Sequence, residues 1–334
     1  MTILYIGNNL TKYTKYPTAL KILTEGLREQ GFKVKTSSSK KNQVIRLLDM
    51  CLTVIKNRRA DYVLIDTYST LNFYYALIIS QLCRMFNLKY ISILHGGNLP
   101  SRLENSKVLS KLIFKNSYIN VAPSNYLDNA FKDNGFNTII IPNAIDLKQY
   151  TFLERKKIEP KILWVRTIKN LYNPQLAIKI LYDLKKKYPR AKLCIVGPIG
   201  EEVSYKECLS LIKEYKLEKA VKFTGVLSKK RWHKLSVNYD VFLNTTNYDN
   251  TPVSVIEAMA LGLTVISTNV GGIPFLLKDR YDSYLYGKGE VKSAVTIIEE
   301  VIKNNNQDIA FNARKKADSF DCSVVNKKWS TVLI

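Results

Sequence analysis

The chain is poor in cysteine and histidine, and its acids are far outnumbered by its bases. Its five cysteines, Cys51, Cys83, Cys194, Cys208 and Cys322, are an odd number without a C-x-x-C pair. That spacing excludes a disulfide framework and a cysteine zinc site, and it fits a reducing, cytoplasmic compartment. No G-x-G-x-x-G follows either opening strand of the two halves, which argues against a dinucleotide-dependent dehydrogenase. The most apolar window, Leu71 to Phe86, is broken by Asn72, Ser80, Gln81 and Arg84 and falls short of the ~20 residues that span a bilayer, so it reads as a buried helix. Met1 to Gly7 enters a strand-like run directly and lacks the parts of a signal peptide. Internal repeats and low-complexity segments are also missing.

What the chain has in excess is positive charge. Against 28 Asp and Glu stand 51 Lys and Arg, a formal +23, which points to an anionic partner or surface. Lys107, Lys111 and Lys115 repeat every four residues among Val108, Leu109, Leu112, Ile113 and Phe114, while Lys40, Lys41, Arg46, Lys56, Arg58 and Arg59 flank a second apolar helix. Docking on an anionic membrane is one reading of these stripes, and ordinary solvated helix faces are the other. Nucleic acid is a weaker candidate partner, because the basic and aromatic residues form no known binding module. His233, within Lys-Arg-Trp-His-Lys, reads as a surface residue.

A length of 334 residues predicts two domains. Strand-like runs at Ile3–Ile6, Lys33–Thr36, Tyr62–Ile65, Tyr90–Leu94, Tyr118–Val121 and Thr138–Ile141 alternate with helical stretches. After a Pro- and charge-containing stretch from Pro142 to Pro160, the rhythm restarts at Ile162–Val165, Leu193–Val196, Val221–Thr224, Val241–Asn244 and Thr264–Ser267. This predicts an α/β chain of two doubly wound, Rossmann-like parallel-sheet domains, 1–150 and 151–320, with their ligand sites at the carboxyl strand ends facing a central cleft. Residues 321–334 form a terminal helix that could cross back to the first domain.

The segment richest in chemistry is Tyr248-Asp-Asn-Thr-Pro-Val-Ser-Val-Ile-Glu-Ala-Met-Ala-Leu-Gly262. Thr251 suits an N-cap and Pro252 the first helical position, which predicts a helix from there to Gly262. The free N–H groups at that start, within the stretch Asn250, Thr251, Pro252, Val253 and Ser254, form a site able to bind an anion. Asp249 lies outside the start and Glu257 five residues past Pro252, about 7.5 Å along the axis, so a diphosphate there has a carboxylate acceptor for polyol hydroxyls on each side.

Asp249-x7-Glu257 followed by Ala-Met-Ala-Leu-Gly resembles the E-x7-E signature of the retaining GT-B glycosyltransferases of family 4. The likeness extends to Leu163-Trp-Val-Arg166, Val196-Gly-Pro198, Phe223-Thr-Gly225 and Ser267-Thr-Asn-Val-Gly-Gly272, and in the first half to His95-Gly-Gly97, Val121-Ala-Pro-Ser124 and Ile141-Pro-Asn-Ala-Ile-Asp146. The resemblance implies a GT-B fold and transfer of a sugar from a nucleotide-sugar to a glycan or lipid-linked glycan, as in surface polysaccharide synthesis. It assigns Arg166 and Lys169 to the leaving phosphates, Asp249 to sugar hydroxyls, Glu257 to ribose hydroxyls and His95 to a ligand contact. Gly7, Gly197, Gly225, Gly271 and Gly272 become donor-side turns. No metal or other cofactor is expected, and the chain has no D-x-D. A nucleotide-sugar epimerase of the same fold is the alternative within the architecture.

Three positions depart from the family pattern. Asp249 replaces the usual Glu and is one methylene shorter. Leu171 stands five residues after Arg166 where a Lys is usual, which leaves Lys169 as the nearest candidate. The first strand runs into Gly7-Asn-Asn9 and not into a richer glycine loop.

Overall fold

A computed structural model describes residues 1–9, 18–304 and 306–334. It divides into two compact units, residues 1–145 with 320–334 and residues 146–319. The division falls inside the Pro142–Pro160 stretch.

Unit 1 has six strands, β1 (Thr2–Ile6), β2 (Lys33–Ser37), β3 (Tyr62–Thr67), β4 (Tyr90–Leu94), β5 (Ile119–Ala122) and β6 (Thr138–Ile140). They pair in parallel in the order β2-β1-β3-β4-β5-β6. Strands β3 and β4 are buried along their whole length, the pattern of a sheet covered on both faces. The connecting helices are α1 (Ala19–Glu29), α2 (Gln43–Lys56), α3 (Asn72–Met85), α4 (Leu99–Asn105), α5 (Lys107–Phe114) and α6 (Asn125–Asp133). Their starts are written locally: Asn42 Oδ1 accepts from Val44 and Ile45 N–H at 3.0 and 3.1 Å, and Ser124 Oγ accepts from Leu127 N–H at 3.3 Å. The window Leu71 to Phe86 supplies α3, which sends Phe73, Ala76, Ile79 and Cys83 into the core.

Arg46 corrects the reading of the basic stripe on α2. It is buried, and its guanidinium donates to the carbonyls of Lys40 and Lys41 at 2.7 and 2.8 Å and to Asn8 Oδ1 at 3.1 Å. It pins the loop before α2 and is not part of a solvated face.

Unit 2 repeats the plan with β7 (Lys161–Val165), α7 (Pro174–Lys185), β8 (Lys192–Val196), α8 (Glu202–Glu214), β9 (Val221–Gly225), α9 (Lys229–Ser236), β10 (Val241–Asn244), α10 (Val253–Ala260), β11 (Thr264–Thr268), α11 (Ile273–Leu276) and β12 (Tyr284–Tyr286). Helices α12 (Val291–Asn304) and α13 (Gln307–Ala317) follow. The parallel order is β12-β11-β10-β7-β8-β9, so β7 and β10 are central neighbours. This puts their carboxyl ends, and the loops that leave them, side by side. The short β12 has no counterpart among the strands expected from local pattern.

The last helix, α14 (Cys322–Leu333), belongs to unit 1. Val325, Trp329 and Leu333 are buried among Ile3, Tyr5, Leu20 and Leu27, and Asn326 lies where a side chain on Gly26 would stand. Ile145 and residues Phe320 to Cys322 exchange backbone hydrogen bonds at 2.9 Å. Among the described residues no helix is long and apolar enough to cross a membrane.

Candidate functional site

The sequence-predicted residues fall into two sets, one in each unit. In unit 2 the loop leaving β7 and the loop leaving β10 are sewn together. Thr245 Oγ1 donates toward the carbonyls of Tyr172 and Asn173 at 2.9 and 2.7 Å and accepts from Trp164 Nε1 at 2.9 Å. Asn247 N–H bonds the Leu171 carbonyl at 2.8 Å, and Asn247 Nδ2 bonds that of Asn170 at 2.8 Å. This lacing brings Arg166 to Asp249, whose carboxylate pairs with the guanidinium. The Tyr172 ring lies under Arg166 with Cζ 4.4 Å from its centroid. Burial pulls the Arg166 pKa below its ordinary value, opposed by Tyr172 and by the Glu257 carboxylate. Its Nε is buried without a hydrogen-bond partner.

Asp249 is held from behind. Its Oδ1 accepts from Asn250 N–H at 2.9 Å and its carbonyl accepts from Gly272 N–H at 2.8 Å. A side chain on Gly271, whose φ is +54°, would strike the Asp249 backbone, and one on Gly272 the Asn250 carbonyl. The glycine pair is therefore explained by this close backbone approach. Gly197 is explained in the same way by the Arg166 carbonyl, which a Cβ at position 197 would overlap. Gly225, with φ +65°, has open space beyond it at the end of β9.

The helix start differs in register from the expectation. Pro252, at φ −68° and ψ 115°, is the cap and not the first helical residue, and α10 runs from Val253 to Ala260. Its extended ψ takes Thr251 out of capping position. Thr251 Oγ1 and Ser254 Oγ are both buried without a hydrogen-bond partner, beside the N–H groups of the first turn. Two orphan hydroxyls at a helix start constitute a polar cradle that a bound anion or polyol would satisfy.

Glu257, one turn further on, is 4% exposed. Its Oε1 accepts from Tyr150 Oη at 2.6 Å and pairs with Lys229 Nζ at 2.7 Å. Sequence reading missed both partners, 107 and 28 residues away. Lys169 instead starts the turn Asn170–Tyr172, its aliphatic stem lying along Gly200. His233 is not a surface residue: it is 8% exposed, with its ring 4.3 Å from that of Tyr150. Trp232, His233 and Ser236 are the buried side of α9, and their i, i+1, i+4 spacing was the available signal.

Burial lowers the His233 pKa below 6.5, against the opposing pull of Glu257. An imidazole held neutral in the fold and protonated when unfolded stabilises the native state above the unfolded pKa, and that stability is lost as pH falls through the folded pKa. His233→Gln is therefore expected to flatten the decline of unfolding free energy as the pH falls below about 6.5. Urea titrations across that range check it, and slopes equal to those of the unsubstituted protein would contradict the assignment.

In unit 1, His95 follows β4 and Asp66 lies near the end of β3. Asp66 Oδ1 accepts from His95 Nε2 at 2.8 Å and from Tyr5 Oη at 2.9 Å, which places the ring hydrogen of His95 on Nε2. Tyr68 stacks on the imidazole with centroids 4.9 Å apart. Burial, with the Asp66 carboxylate beside it, pushes the Tyr5 hydroxyl far above its ordinary pKa, so it stays a donor. A side chain on Gly7 would collide with the Asp66 carboxylate and Leu20, which accounts for that glycine. Among the described residues no three His, Cys, Asp or Glu side chains gather into a metal-binding group.

With these geometries in place, the chain can be set beside known proteins. The model of the family described as glycosyl transferases group 1 matches residues 149–318. A human phosphatidylinositol N-acetylglucosaminyltransferase chain is 30% identical over 143 residues, 42% of this chain and 28% of that protein. The sulfoquinovosyl transferase SQD2 of Arabidopsis thaliana is 26% identical over 157 residues, 46% of this chain and 29% of that protein. The chain thus spans less than a third of the length of these curated relatives. The crystal structure of Anabaena Alr3699/HepE in complex with UDP-glucose superposes with a TM-score of 0.80 at 18% identity, covering 100% of this chain and 99% of that one, and so shares its fold. The match to the family model extends over half of the sequence and takes in the paired Arg166 and Asp249, the start of α10 and Glu257, and on that ground the chain belongs to the glycosyl transferases group 1 family.

Proposed function

We propose that this protein is a retaining glycosyltransferase that moves a hexosyl or related sugar from a nucleoside diphosphate to a hydroxyl of a glycan or lipid-linked glycan, without a metal ion. The observation that carries this reading is the cradle at α10: two buried hydroxyls without partners at a helix start, with Arg166–Asp249 on one side and Glu257 on the other. Arg166, the first-turn N–H groups and the nearby Lys169 meet the charge that develops on the departing diphosphate, in an environment arranged before reaction. Asp249 receives sugar hydroxyls. Glu257, whose Oε1 is already fixed by Tyr150 and Lys229, offers its other oxygen to the ribose. Asn250, Thr251, Pro252 and Val253 supply the backbone of the cradle, and Gly225, with open space at the end of β9, serves the nucleotide side. His95, oriented by Asp66, serves the acceptor side.

The C1–O bond to the diphosphate breaks as the acceptor oxygen bonds to C1 on the same face, and the hydroxyl proton passes to a phosphate oxygen. The relative named for transfer to phosphatidylinositol, together with the basic exterior, supports an acceptor at the anionic cytoplasmic face of a membrane, as in surface polysaccharide synthesis.

Screening nucleotide-sugars by thermal shift, UDP-sugars first, identifies the donor, since a ligand at about 100 times its Kd stabilises a fold by about 2.7 kcal/mol. Transfer with that donor is expected to persist in excess EDTA and to give a product with the donor's anomeric configuration by NMR. Inversion at C1, or loss of turnover restored only by a divalent ion, would overturn the reading.

A further inference from the structure

Helices α2, α3 and α5 form one layer over the same side of the unit 1 sheet, and Met50, Val54, Phe73, Ala76 and Ile113 share the core beneath them. Tyr75 Oη donates to the Gln43 carbonyl at 3.1 Å and Gln81 Nε2 to the Leu112 carbonyl at 3.2 Å, so α3 is fastened to α2 on one flank and to α5 on the other.

The outward face of this layer is apolar. On α2, Val44, Ile45, Leu48, Leu52 and Ile55 recur at helical spacing opposite Met50 and Val54, yet they are 67%, 53%, 57%, 53% and 44% exposed. A helix on a soluble domain ordinarily turns its apolar stripe inward. This one has an inner stripe and an outer one. The outer stripe continues across α3 with Leu71, Tyr74, Ile78 and Met85 and onto α5 with Val108 and Leu112, of which Met85 is 67% and Val108 72% exposed. Isolated exposed apolar residues are commonplace, whereas a run over three adjoining helices marks an interaction surface.

Charge identifies what that surface meets. Lys40 and Lys41 precede α2, Lys56 ends it and Arg58 and Arg59 follow it, while Lys107 and Lys111, with Lys115 just past the last turn, share the exposed side of α5 with Val108 and Leu112. In the segments 40–59, 71–86 and 107–115 the one acidic residue is Asp49, and its carboxylate is engaged inward by Ser37 Oγ at 3.1 Å. An apolar face rimmed by bases and free of outward acids complements an anionic lipid surface, into which the apolar chains insert while the bases stay among the headgroups.

We propose that the α2–α3–α5 face docks unit 1 on an anionic bilayer, with Leu48 and Leu52 at the centre of the inserted patch. This rests on the reading of a membrane-borne acceptor and names the surface that meets the membrane. The test is sedimentation of the full chain with vesicles of phosphatidylcholine, with or without about 30% phosphatidylglycerol, with nucleotide-sugar binding measured in parallel by calorimetry. The chain is expected to bind the anionic vesicles at least about tenfold more tightly than the neutral ones, and Leu48→Asp/Leu52→Asp to weaken that binding at least about tenfold. Because both side chains already face solvent, melting temperature and donor affinity should stay unchanged. Failure to bind anionic vesicles, or undiminished binding by the double variant, would overturn the proposal. So would a dimer in solution that the double variant dissolves, because the face would then join two copies of the chain. Vesicle binding without any nucleotide-sugar binding would uphold the docking face while removing the catalytic reading.

Discussion

Arg166→Met is expected to lower kcat by about 10²–10³, the usual loss when one preorganised charge donor is removed from a developing anion. The size of the effect follows from how the guanidinium is held. Asp249 pairs with it and Tyr172 lies under its plane, while the Arg166 carbonyl is packed against Gly197. A group fixed in this way need not reorganise during reaction. Arg166→Lys should recover little, since a lysine ammonium lacks the planar fork and the stacking. Lys169→Met is expected to cost less than about tenfold, because its stem lies along Gly200 and it is not held by the paired, stacked frame that fixes Arg166. Initial rates with the donor found by thermal shift, alongside melting curves to show that the fold is intact, decide the matter. A kcat within about threefold of the parent would remove Arg166 from the catalytic machinery.

Arg155→Leu is expected to destabilise the protein by about 3–5 kcal/mol, the range for removing one partner from a buried charged network. Arg155 is 8% exposed, and its guanidinium donates to four carbonyls: Tyr239 at 2.8 Å, Leu153 at 3.0 Å, Leu261 at 3.1 Å and Ser236 at 3.1 Å. Asp240 lies 3.5 Å from its Nε. Burial brings the Arg155 pKa down to about 10, which leaves it charged near neutral pH. The Ser236 and Leu261 carbonyls keep backbone donors, from Tyr239 N–H at 3.0 Å and Leu153 N–H at 3.3 Å, but the substitution strands the Tyr239 and Leu153 carbonyls and takes the cation from Asp240, which no aliphatic side chain can make good and lysine cannot span. Urea unfolding gives the value; a loss below about 1 kcal/mol would mean that water replaces the guanidinium at little cost.

The architecture was largely legible because a doubly wound sheet announces itself in local pattern. Buried parallel strands such as Tyr62-Val-Leu-Ile65 and Tyr90-Ile-Ser-Ile-Leu94 are near-continuous apolar runs, and helices of eight or more residues separate most of them. Strand β12 escaped notice because it is three residues long, flanked by Asp282, Ser283 and Gly287, and pairs only at the sheet edge. Within the site, Asp249 through Glu257 could be found because Pro252 and the spacing of the two acids are properties of one short segment. Tyr150, Lys229 and Asp66 could not be, since their places depend on which strand ends become neighbours. Charge also misled: Arg46 and His233 sit in basic runs that look solvated, yet each is buried by the turn of its own helix.

Unit 1 is closed by α14, so its sheet is encoded by residues 1–145 but its core contains Val325, Trp329 and Leu333. A ribosome delivers the whole of residues 146–319 before it delivers those three side chains. Unit 2 is contiguous and can complete its core during synthesis, while the domain encoded first must wait with the groove between Leu20, Leu27 and Ile3 uncovered. The order of maturation is thus the reverse of the order of translation, and in a nascent chain the His95 half would be the last to become rigid.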